Sequence, residues 1–233
     1  MQVMIFAAGR GERLRPLTDV TPKPLVEING VPLIVRHLRR LRLAGFTEAV
    51  INICYLGDAI RAALGDGGAW DMRLRYSLEE ERLETAGGVR LALARGLLAD
   101  APFVGVNADI VCDIDFAHLR WQGGSWCHLV LVDNPPHHPH GDFSMDAQNH
   151  LLPPAEVSLT YSGAGVFVPS LFADITAGQR ASLLPLLQKA IAHGAATAEK
   201  HNGLWHDTGT PISLQVARQT VMAQETRAQN AKP

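Results

Sequence analysis

Two glycines and a group of cations near the start of the chain have types and spacing that suit phosphate binding. Gly9 and Gly11 follow the short apolar run that opens the sequence. A glycine-rich loop directly after the first buried strand of a parallel sheet commonly holds phosphates, because free backbone N–H groups can approach the anion closely. Arg13, Arg15 and Lys23 place three positive charges in the same loop. The segment is therefore a candidate anion site.

The glycines alone leave a plain structural turn as an open alternative. A dinucleotide-binding fingerprint needs a third glycine where Leu14 stands, and a Walker loop needs a Gly-Lys-Ser/Thr ending that is missing. Pro16, Pro22 and Pro24 fix φ at three points and stiffen the loop. Rigidity suits a loop that holds a triphosphate, since ordering a flexible loop costs about 1–2 kcal/mol per residue.

Two carboxylates, Asp109 and Asp207, are the candidate metal ligands. Asp109 follows an apolar run at residues 103–106, and Asp207 precedes a glycine-containing turn. Ligands of open parallel sheets bind outside the carboxyl ends of the strands, and Mg²⁺ favours one or two carboxylates together with phosphate oxygens and waters. The spacing also fits structural roles, with Asp109 as a cap toward Ile110 and Asp207 as the partner of a neighbouring cation.

Further polar residues allow two interpretations each. Thr85 and Gly87 belong to a segment whose missing side chains would admit a flat nucleobase, and a helix N-terminus capped by Thr85 is the structural alternative. Asp142 lies in a polar loop and also fits an Asx-type turn. A proline interrupts the histidines of that loop and no cysteine is near in sequence, so we interpret them as part of a solvated loop instead of a metal cluster: His137, His138 and His140.

Size, charge and composition narrow the classes of function. The chain has 233 residues, is 47% apolar and carries a formal net charge of −2, which suits one large α/β domain and not a nonspecific nucleic-acid binder. No apolar run approaches the roughly 20 residues that cross a bilayer, and the first run is too short for the core of a signal peptide. We expect a cytoplasmic protein without nucleic-acid or membrane partners. The cysteines form no Cys-x-x-Cys pair and are expected to be buried thiols: Cys54, Cys112 and Cys127.

Strand-like and helix-like segments alternate through the first half of the chain. Predicted strands cover residues 3–7, 49–53, 74–77 and 103–106, and predicted helices cover residues 32–44, 59–64 and 88–98. Such alternation implies a parallel sheet with helices on both faces. The second half is less regular. Its predictions are strands at 129–132 and 159–168, a loop at 134–154, a helix at 182–193, and a last helix capped by Thr210 that frays from about Gln224.

The cationic loop resembles the signature of the sugar-1-phosphate nucleotidyltransferases. The resemblance is carried by Gly9-x-Gly11-x-Arg13-Leu14-x-Pro16-Leu17-Thr18 followed by Pro22-Lys23-Pro24-Leu25, and it covers essentially the whole chain. It implies a single-domain α/β fold, a Rossmann-like three-layer sandwich with a mixed, mostly parallel central sheet. Residues 1–132 would form the nucleotide-binding half and residues 133–233 the sugar-phosphate-binding half.

The resemblance also implies roles for individual residues. It implies a magnesium cofactor held by Asp109 and Asp207, although Ala108 replaces a family glycine and His206 and Thr208 replace apolar residues around them. The implied catalytic residues are Arg13 and Lys23, the nucleotide-binding residues are Ala8, Gly9, Gly11, Glu12, Arg13, Lys23, Thr85 and Gly87, and the substrate-binding residues are Asn107 and Asp142.

Within the family, residues 83–88, 130–135 and 141–143 are similar to the subgroup that uridylylates N-acetylmuramic acid α-1-phosphate. The implied reaction joins UTP to that sugar 1-phosphate and releases pyrophosphate during peptidoglycan recycling. The alternatives are uridylyl, guanylyl or thymidylyl transfer to glucose, mannose or N-acetylglucosamine 1-phosphate and, more remotely, a noncatalytic sugar-nucleotide sensor. The missing third glycine and the cationic loop argue against a dinucleotide-dependent oxidoreductase. We expect a monomer or a small homo-oligomer.

Overall fold

A seven-stranded sheet built from the described part of the chain forms the centre of the molecule. The structure, a computed structural model, describes residues 1–121 and 123–230. The strands are β1 (Gln2–Phe6), β2 (Glu27–Ile28), β3 (Val31–Pro32), β4 (Glu48–Ile53), β5 (Arg73–Leu78), β6 (Phe103–Asn107), β7 (Ile110–Cys112), β8 (Cys127–Val132), β9 (Ser144–Met145), β10 (Leu151–Leu152), β11 (Thr160–Phe167), β12 (Ala196–Lys200) and β13 (Trp205–Asp207). The α-helices are α1 (Leu33–Leu43), α2 (Gly57–Leu64), α3 (Glu84–Ala94), α4 (Leu184–Ala192) and α5 (Pro211–Asn230).

The order of the central strands places β1 in the interior of the sheet. That order is β12-β8-β11-β6-β1-β4-β5. β1 runs parallel to β4 and β6, whereas β11 is antiparallel to both of its neighbours, β6 and β8. The chain passes from β1 to β4 on one side and later to β6 on the other, so a crevice opens outside the carboxyl end of β1. The predicted mixed, mostly parallel sheet is confirmed.

Alternate side chains of the sheet contribute to two separate cores. Val3 and Ile5 of β1 pack into the core that contains α1 and α2, whereas Met4 packs into the core that contains Val89 of α3 and Leu187 of α4. Successive residues of a strand point to opposite faces, and a strand covered on both faces is apolar throughout. This explains the continuous apolar run at the start of the chain and confirms the predicted three-layer sandwich.

Helix α3 begins earlier than the sequence pattern predicts. The prediction covered residues 88–98, whereas the helix spans Glu84–Ala94. The alternative that Thr85 caps this helix is wrong, because Thr85 lies inside the first turn and Leu83 occupies the N-cap position without a side-chain cap. Gly87 is instead required by packing, since a Cβ there would collide with the Gln179 carbonyl oxygen.

Strand β11 continues through its two glycines and contains a bulge. It runs through Thr160–Phe167, and its register against β8 shifts between Tyr161 and Gly165, which marks a bulge. Gly163 has a φ of +86° at this bulge, and a Cβ on it would lie 2.6 Å from Asn107 Nδ2. The bulge therefore makes room for the side chain at the end of β6. The loop expected at residues 134–154 contains one short hairpin, β9–β10.

The C-terminal helix α5 packs against the cationic loop. Leu214 and Val221 of α5 share a buried cluster with Leu14 and Val26. This contact ties the end of the second half to the start of the first, and the division into a nucleotide half and a sugar-phosphate half stays a prediction.

The start of α5 is capped as the sequence predicts. Ser213 N–H donates to Thr210 Oγ1 at 3.1 Å, which confirms Thr210 as the cap. The helix continues past Gln224 to Asn230, so the fraying expected from about Gln224 is not found in this segment. The last residues covered by that prediction, 231–233, lie outside the described residues. Over the ranges that the structure covers, we find no helix with both the length and the apolar character needed to span a membrane.

Candidate active site

Two adjoining cavities open at the carboxyl edge of the central sheet. The first has a volume of ≈ 330 Å³ and is lined by Ala8 after β1, Asn52 of β4 and Asp109 after β6. The second has a volume of ≈ 670 Å³ and lies between residues 141–143 and α4. The two cavities meet, because they share the lining residues Thr85, Asn107 and Leu183.

The loop after β1 has a conformation that favours glycine at position 11. Gly11 has a φ of +70°, in the left-handed region. A Cβ on it would lie 3.0 Å from Thr18 Cγ2 and 3.1 Å from Lys23 Cβ. Thr18 Oγ1 donates to the Gly11 carbonyl oxygen at 2.8 Å, which closes the loop on itself. Gly11 thus has a structural role that brings Lys23 close to the carboxyl end of β1.

Lys23 and Asp109 meet at the first cavity, although 86 positions separate them in the sequence. Lys23 Nζ donates to Asp109 Oδ2 at 2.6 Å. The lysine side chain is 7% exposed and the aspartate side chain is 40% exposed. The ammonium group is therefore held in one place at the cavity edge, and a fixed charge of this kind stabilises a transition state better than a mobile one.

Strand β13 brings Asp207 alongside Asp109. β13 pairs antiparallel with β7, and Asp207 stands opposite Ile110. Thr208 donates to the Asp109 carbonyl oxygen twice, from its N–H at 3.1 Å and from its Oγ1 at 2.7 Å. The capping alternative for Asp109 is wrong, because a strand and not a helix follows it. Asp109, in the turn before β7, and Asp207, at the end of β13, are thus brought together by the pairing of these two strands.

The carboxylate of Asp207 has close contacts on both oxygens. Oδ1 accepts the Gly209 N–H, and Oδ2 lies 2.9 Å from His137 Nε2. Arg13 reaches the same turn, since a Cβ on Gly209 would lie 2.5 Å from Arg13 Nη2. His137 remains exposed, as expected of a solvated loop, but its loop folds back onto the β7–β13 pair and brings its imidazole to Asp207.

The residues present fit a magnesium ion. Asp109, in the turn before β7, and Asp207, at the end of β13, offer hard carboxylate oxygens, and the first cavity leaves space for the phosphate oxygens and waters that Mg²⁺ prefers as its other ligands. Among the residues that the structure describes, no group of three or more His, Cys, Asp or Glu side chains is arranged to hold a metal. A site with two carboxylates does not require such a group, and the metal roles of both aspartates stay predictions.

The predicted nucleotide-binding residues occupy different positions around the first cavity. Gly87 is buried in α3 outside the cavity lining. Glu12 lines a further cavity beside Arg10, whose guanidinium lies over the Tyr55 ring at 5.1 Å from the centroid. The residues that line the first cavity itself are Ala8, Gly9, Lys23 and Thr85. Their contacts with a nucleotide stay predictions.

The two predicted substrate-binding residues both line the second cavity. Asn107 ends β6, and Asp142 is held by the Tyr161 N–H, which donates to its Oδ2 at 2.8 Å. His138 Nε2 lies 3.0 Å from the other oxygen, Oδ1. Asp142 is thus held by β11 and by His138, and not in an Asx-type turn. The Tyr161 hydroxyl is buried without a hydrogen-bond partner among the described residues, and burial raises the pKa of Tyr161.

Sequence reasoning missed several residues that shape this cleft. Asn52 lines the first cavity from the end of β4, and its position at the carboxyl end of a predicted strand is the signal that was available. His137 became a candidate only through the folding of its loop. Arg82, Ser182 and Leu183 also line the first cavity and carry no recognisable pattern in the sequence.

The fold and the cleft together define an α/β protein with a cleft at the carboxyl edge of a mostly parallel sheet, where proteins of this architecture bind their ligands. The profile of the nucleotidyl transferase family matches residues 2–122. The chain belongs to the nucleotidyl transferase family, and the prediction of a nucleotidyltransferase enzyme is confirmed.

Two relatives are similar over most of their length. The N-acetylmuramate α-1-phosphate uridylyltransferase of Neisseria meningitidis is 47% identical, over 94% of this chain and 97% of the relative. The enzyme of the same name from Caulobacter vibrioides is 33% identical, over 89% of this chain and 91% of the relative. A Bacillus anthracis protein assigned as a glucose-1-phosphate thymidylyltransferase has a similar fold, with a TM-score of 0.79, 20% identity and 94% of each chain covered.

Proposed function

We propose that this chain transfers a uridylyl group from UTP to N-acetylmuramic acid α-1-phosphate, giving UDP-N-acetylmuramic acid and pyrophosphate. The contact between Lys23 and Asp109 carries the reaction class, because it fixes a cation beside a carboxylate at the edge of the first cavity. The choice of substrates is supported by the similarity to the Neisseria meningitidis enzyme over nearly the whole of both chains.

The nucleophile in the proposed reaction is an oxygen of the sugar phosphate. It attacks the α-phosphorus of UTP in line, and a new P–O bond forms. The bond from the α-phosphorus to the oxygen that bridges to the β-phosphate breaks, and pyrophosphate leaves with the electron pair. A phosphate dianion is already a competent nucleophile, so no general base is required. Catalysis then reduces to positioning and charge neutralisation.

Residues that line the first cavity and residues beside it divide these two tasks. Lys23 neutralises charge at the α-phosphate. Its ammonium is held in place for this by Asp109 Oδ2, at 2.6 Å. Arg13 and the N–H groups of residues 9–11 hold the leaving pyrophosphate. Asp109 and Asp207 would hold Mg²⁺, which when bound would supply positive charge that neutralises the phosphates. Asn107 lines both cavities and is placed to orient the sugar phosphate between them.

The second cavity is the proposed site of the sugar. Its polar lining residues include Asp142, whose carboxylate is oriented by the Tyr161 N–H. The rest of its wall is largely apolar and includes Phe143, Pro153, Pro154, Leu184, Leu187 and Ile191. Such a wall suits a sugar with a bulky, partly apolar substituent, because burying the apolar surface of the substituent there removes it from water and favours binding. The lactyl ether of N-acetylmuramic acid is a substituent of this kind.

Pyrophosphate release across a grid of substrates tests the proposal. The grid combines UTP, GTP and dTTP with the 1-phosphates of N-acetylmuramic acid, N-acetylglucosamine, glucose and mannose, each with magnesium and with EDTA. We expect the highest kcat/KM for UTP with N-acetylmuramic acid 1-phosphate and no turnover with EDTA. A different best pair would overturn the substrate assignment and leave the reaction class. Nucleotide binding by folded protein without release from any pair would favour a noncatalytic sensor.

The proposed reaction has a natural setting in the cell. It would return N-acetylmuramic acid to the nucleotide sugars used for peptidoglycan, which places it in cell-wall recycling. UTP is a cytoplasmic substrate, so a cytoplasmic location is part of the proposal. The proposal needs neither a nucleic acid nor a membrane, and a monomer or a small homo-oligomer satisfies it.

A further inference from the structure

A chain of buried hydrogen bonds connects the end of β1 with the start of α3. The Ala7 N–H donates to Asn52 Oδ1 at 2.8 Å, Asn52 Nδ2 donates to Glu79 Oε1 at 2.6 Å, and the Leu83 N–H donates to Glu79 Oε2 at 3.0 Å. Asn52 is 3% exposed and Glu79 is 2% exposed. A carboxylate at this depth is unfavourable unless it is hydrogen-bonded, so its presence needs an explanation.

Each bond in this chain can run in only one direction. Backbone N–H groups can only donate, and an ionised carboxylate can only accept. The Ala7 N–H therefore requires the oxygen of the Asn52 amide, and this orientation turns the Asn52 NH₂ group toward Glu79. A glutamine in place of Glu79 would have one accepting and one donating end. The NH₂ group of that glutamine would then face another donor, either the Asn52 NH₂ group or the Leu83 N–H.

The packing around Glu79 leaves little freedom for another arrangement. A Cβ on Gly88 would lie 2.5 Å from Glu79 Oε1 and 2.8 Å from Asn52 Nδ2, so α3 approaches the pair as closely as a glycine allows. Burial raises the pKa of Glu79, and the hydrogen bonds from Leu83 and Asn52 act in the opposite direction. Both oxygens of the Glu79 carboxylate thus accept a hydrogen bond in a closely packed environment.

The two ends of the hydrogen-bond chain line two segments of the first cavity's wall. Ala7 belongs to the wall after β1, where Gly9 also lines the cavity. Leu83 belongs to the wall before α3, where Thr85 lines both cavities. A change at Glu79 would therefore alter how the two walls are placed relative to each other, although Glu79 itself does not line the cavity.

We propose that Glu79 is a positioning residue for nucleotide binding. By accepting from Asn52 and from the Leu83 N–H, it fixes the spacing between the wall at residues 7–9 and the wall at residues 83–85. A nucleotide that contacts both walls then meets them already in place, and binding does not have to order them. This inference deepens the proposed function and rests on it for the use of UTP as the probe.

The test compares three variants with the wild type. Glu79→Gln removes one acceptor and keeps the shape of the side chain. The double variant Asn52→Asp with Glu79→Gln restores every pairing, because the introduced carboxylate accepts from the Ala7 N–H and from the introduced glutamine NH₂, whose oxygen accepts from the Leu83 N–H. Glu80→Gln is the matched control, since Glu80 is the exposed neighbour and loses the same charge. UTP binding with magnesium is measured by calorimetry without sugar, and KM for both substrates by pyrophosphate release.

We expect Glu79→Gln to weaken UTP binding by about tenfold or more, because one buried donor is left unsatisfied. KM for the sugar 1-phosphate should stay within about twofold, Glu80→Gln should behave as wild type, and the double variant should bind UTP at least about threefold more tightly than Glu79→Gln. Equal changes in both KM values, or a double variant no better than Glu79→Gln, would overturn the inference. If Glu79→Gln does not fold, a double variant that folds and binds UTP supports it, and one that also fails to fold overturns it.

Failure of the proposed function would look different from failure of this inference. A wild type that binds another nucleoside triphosphate more tightly than UTP would overturn the uridylyl assignment. The same ratios between the variants, measured with that nucleotide, would still decide the role of Glu79.

Discussion

Replacing Lys23 with methionine separates the catalytic role of its charge from its role in the fold. Methionine keeps the length and the apolar stem of the side chain and removes the ammonium. Lys23 Nζ lies 2.6 Å from Asp109 Oδ2 at the edge of the first cavity. Loss of one fixed charge-stabilising group costs about 3–4 kcal/mol in the transition state, so we expect turnover to fall by about 100-fold to 1,000-fold.

The stability of the fold should change much less than the activity. The Asp109 side chain is 40% exposed, so water can solvate it once the ammonium is gone. An ion pair with one exposed partner contributes about 0–1 kcal/mol. For a chain of this length, such a loss lowers Tm by at most about 4 °C. The expected result is a folded protein with little turnover.

The assay is pyrophosphate release with UTP, N-acetylmuramic acid 1-phosphate and magnesium, together with thermal unfolding of each variant. Lys189→Met is the matched control, because Lys189 Nζ also lies 2.6 Å from an aspartate oxygen, on Asp174, and neither residue lines either cavity. We expect this control to retain activity within about twofold. A folded Lys23→Met protein with turnover close to that of the control would refute the role assigned to Lys23.

Three further perturbations have defined outcomes. Burial lowers the pKa of His37 from its ordinary 6.5 to about 4. Between these pH values, His37 is protonated in the unfolded chain and neutral in the folded chain. The free energy of unfolding therefore decreases as pH falls from 6.5 toward 4. His37→Gln should therefore reduce the loss of unfolding free energy across that range by up to about 3 kcal/mol in urea titrations, and parallel curves for both proteins would contradict this. Gly11→Ala should lower the free energy of unfolding by at least about 1 kcal/mol, because alanine is strained at a φ of +70° and its Cβ meets Thr18. Unchanged denaturation midpoints would show that the loop relaxes freely. Asp142→Asn should raise KM for the sugar 1-phosphate and leave KM for UTP within about twofold, since Asp142 lines the second cavity and not the first. An equal rise in both KM values would show that Asp142 does not act in sugar recognition.

The sequence was informative where local chemistry restricts what a segment can do. The apolar run at the start of the chain predicted a strand covered on both faces, and β1 is buried between two cores. The pattern Thr210-Pro211 predicted a capped helix start, and Ser213 N–H bonds to Thr210 Oγ1. These predictions depend on neighbours within a few residues, so no distant part of the chain can easily overturn them.

The predictions that failed depend on which distant segments come together. Thr85 fits a cap by residue type, but the helix begins before it, and Gly87 packs against the carbonyl of the distant residue Gln179. The contact between His137 and Asp207 was not predicted, because it forms only where the loop folds back onto another strand pair. Residue types within a loop do not encode such contacts.

The sequence by itself determined the reaction class. The proline-stiffened cationic loop with its glycines, together with two carboxylates after apolar runs, forms a family signature. The residues of this signature can be read from short segments of the chain. Only the tertiary structure decided how these parts act together. It joined Lys23 to Asp109 across 86 positions, set Asp207 beside them through the β7–β13 pairing, and linked Ala7 to Leu83 through Asn52 and Glu79. The physical reason is that ion pairs and buried hydrogen bonds need distances near 3 Å, and such distances between remote residues are set by strand order and packing.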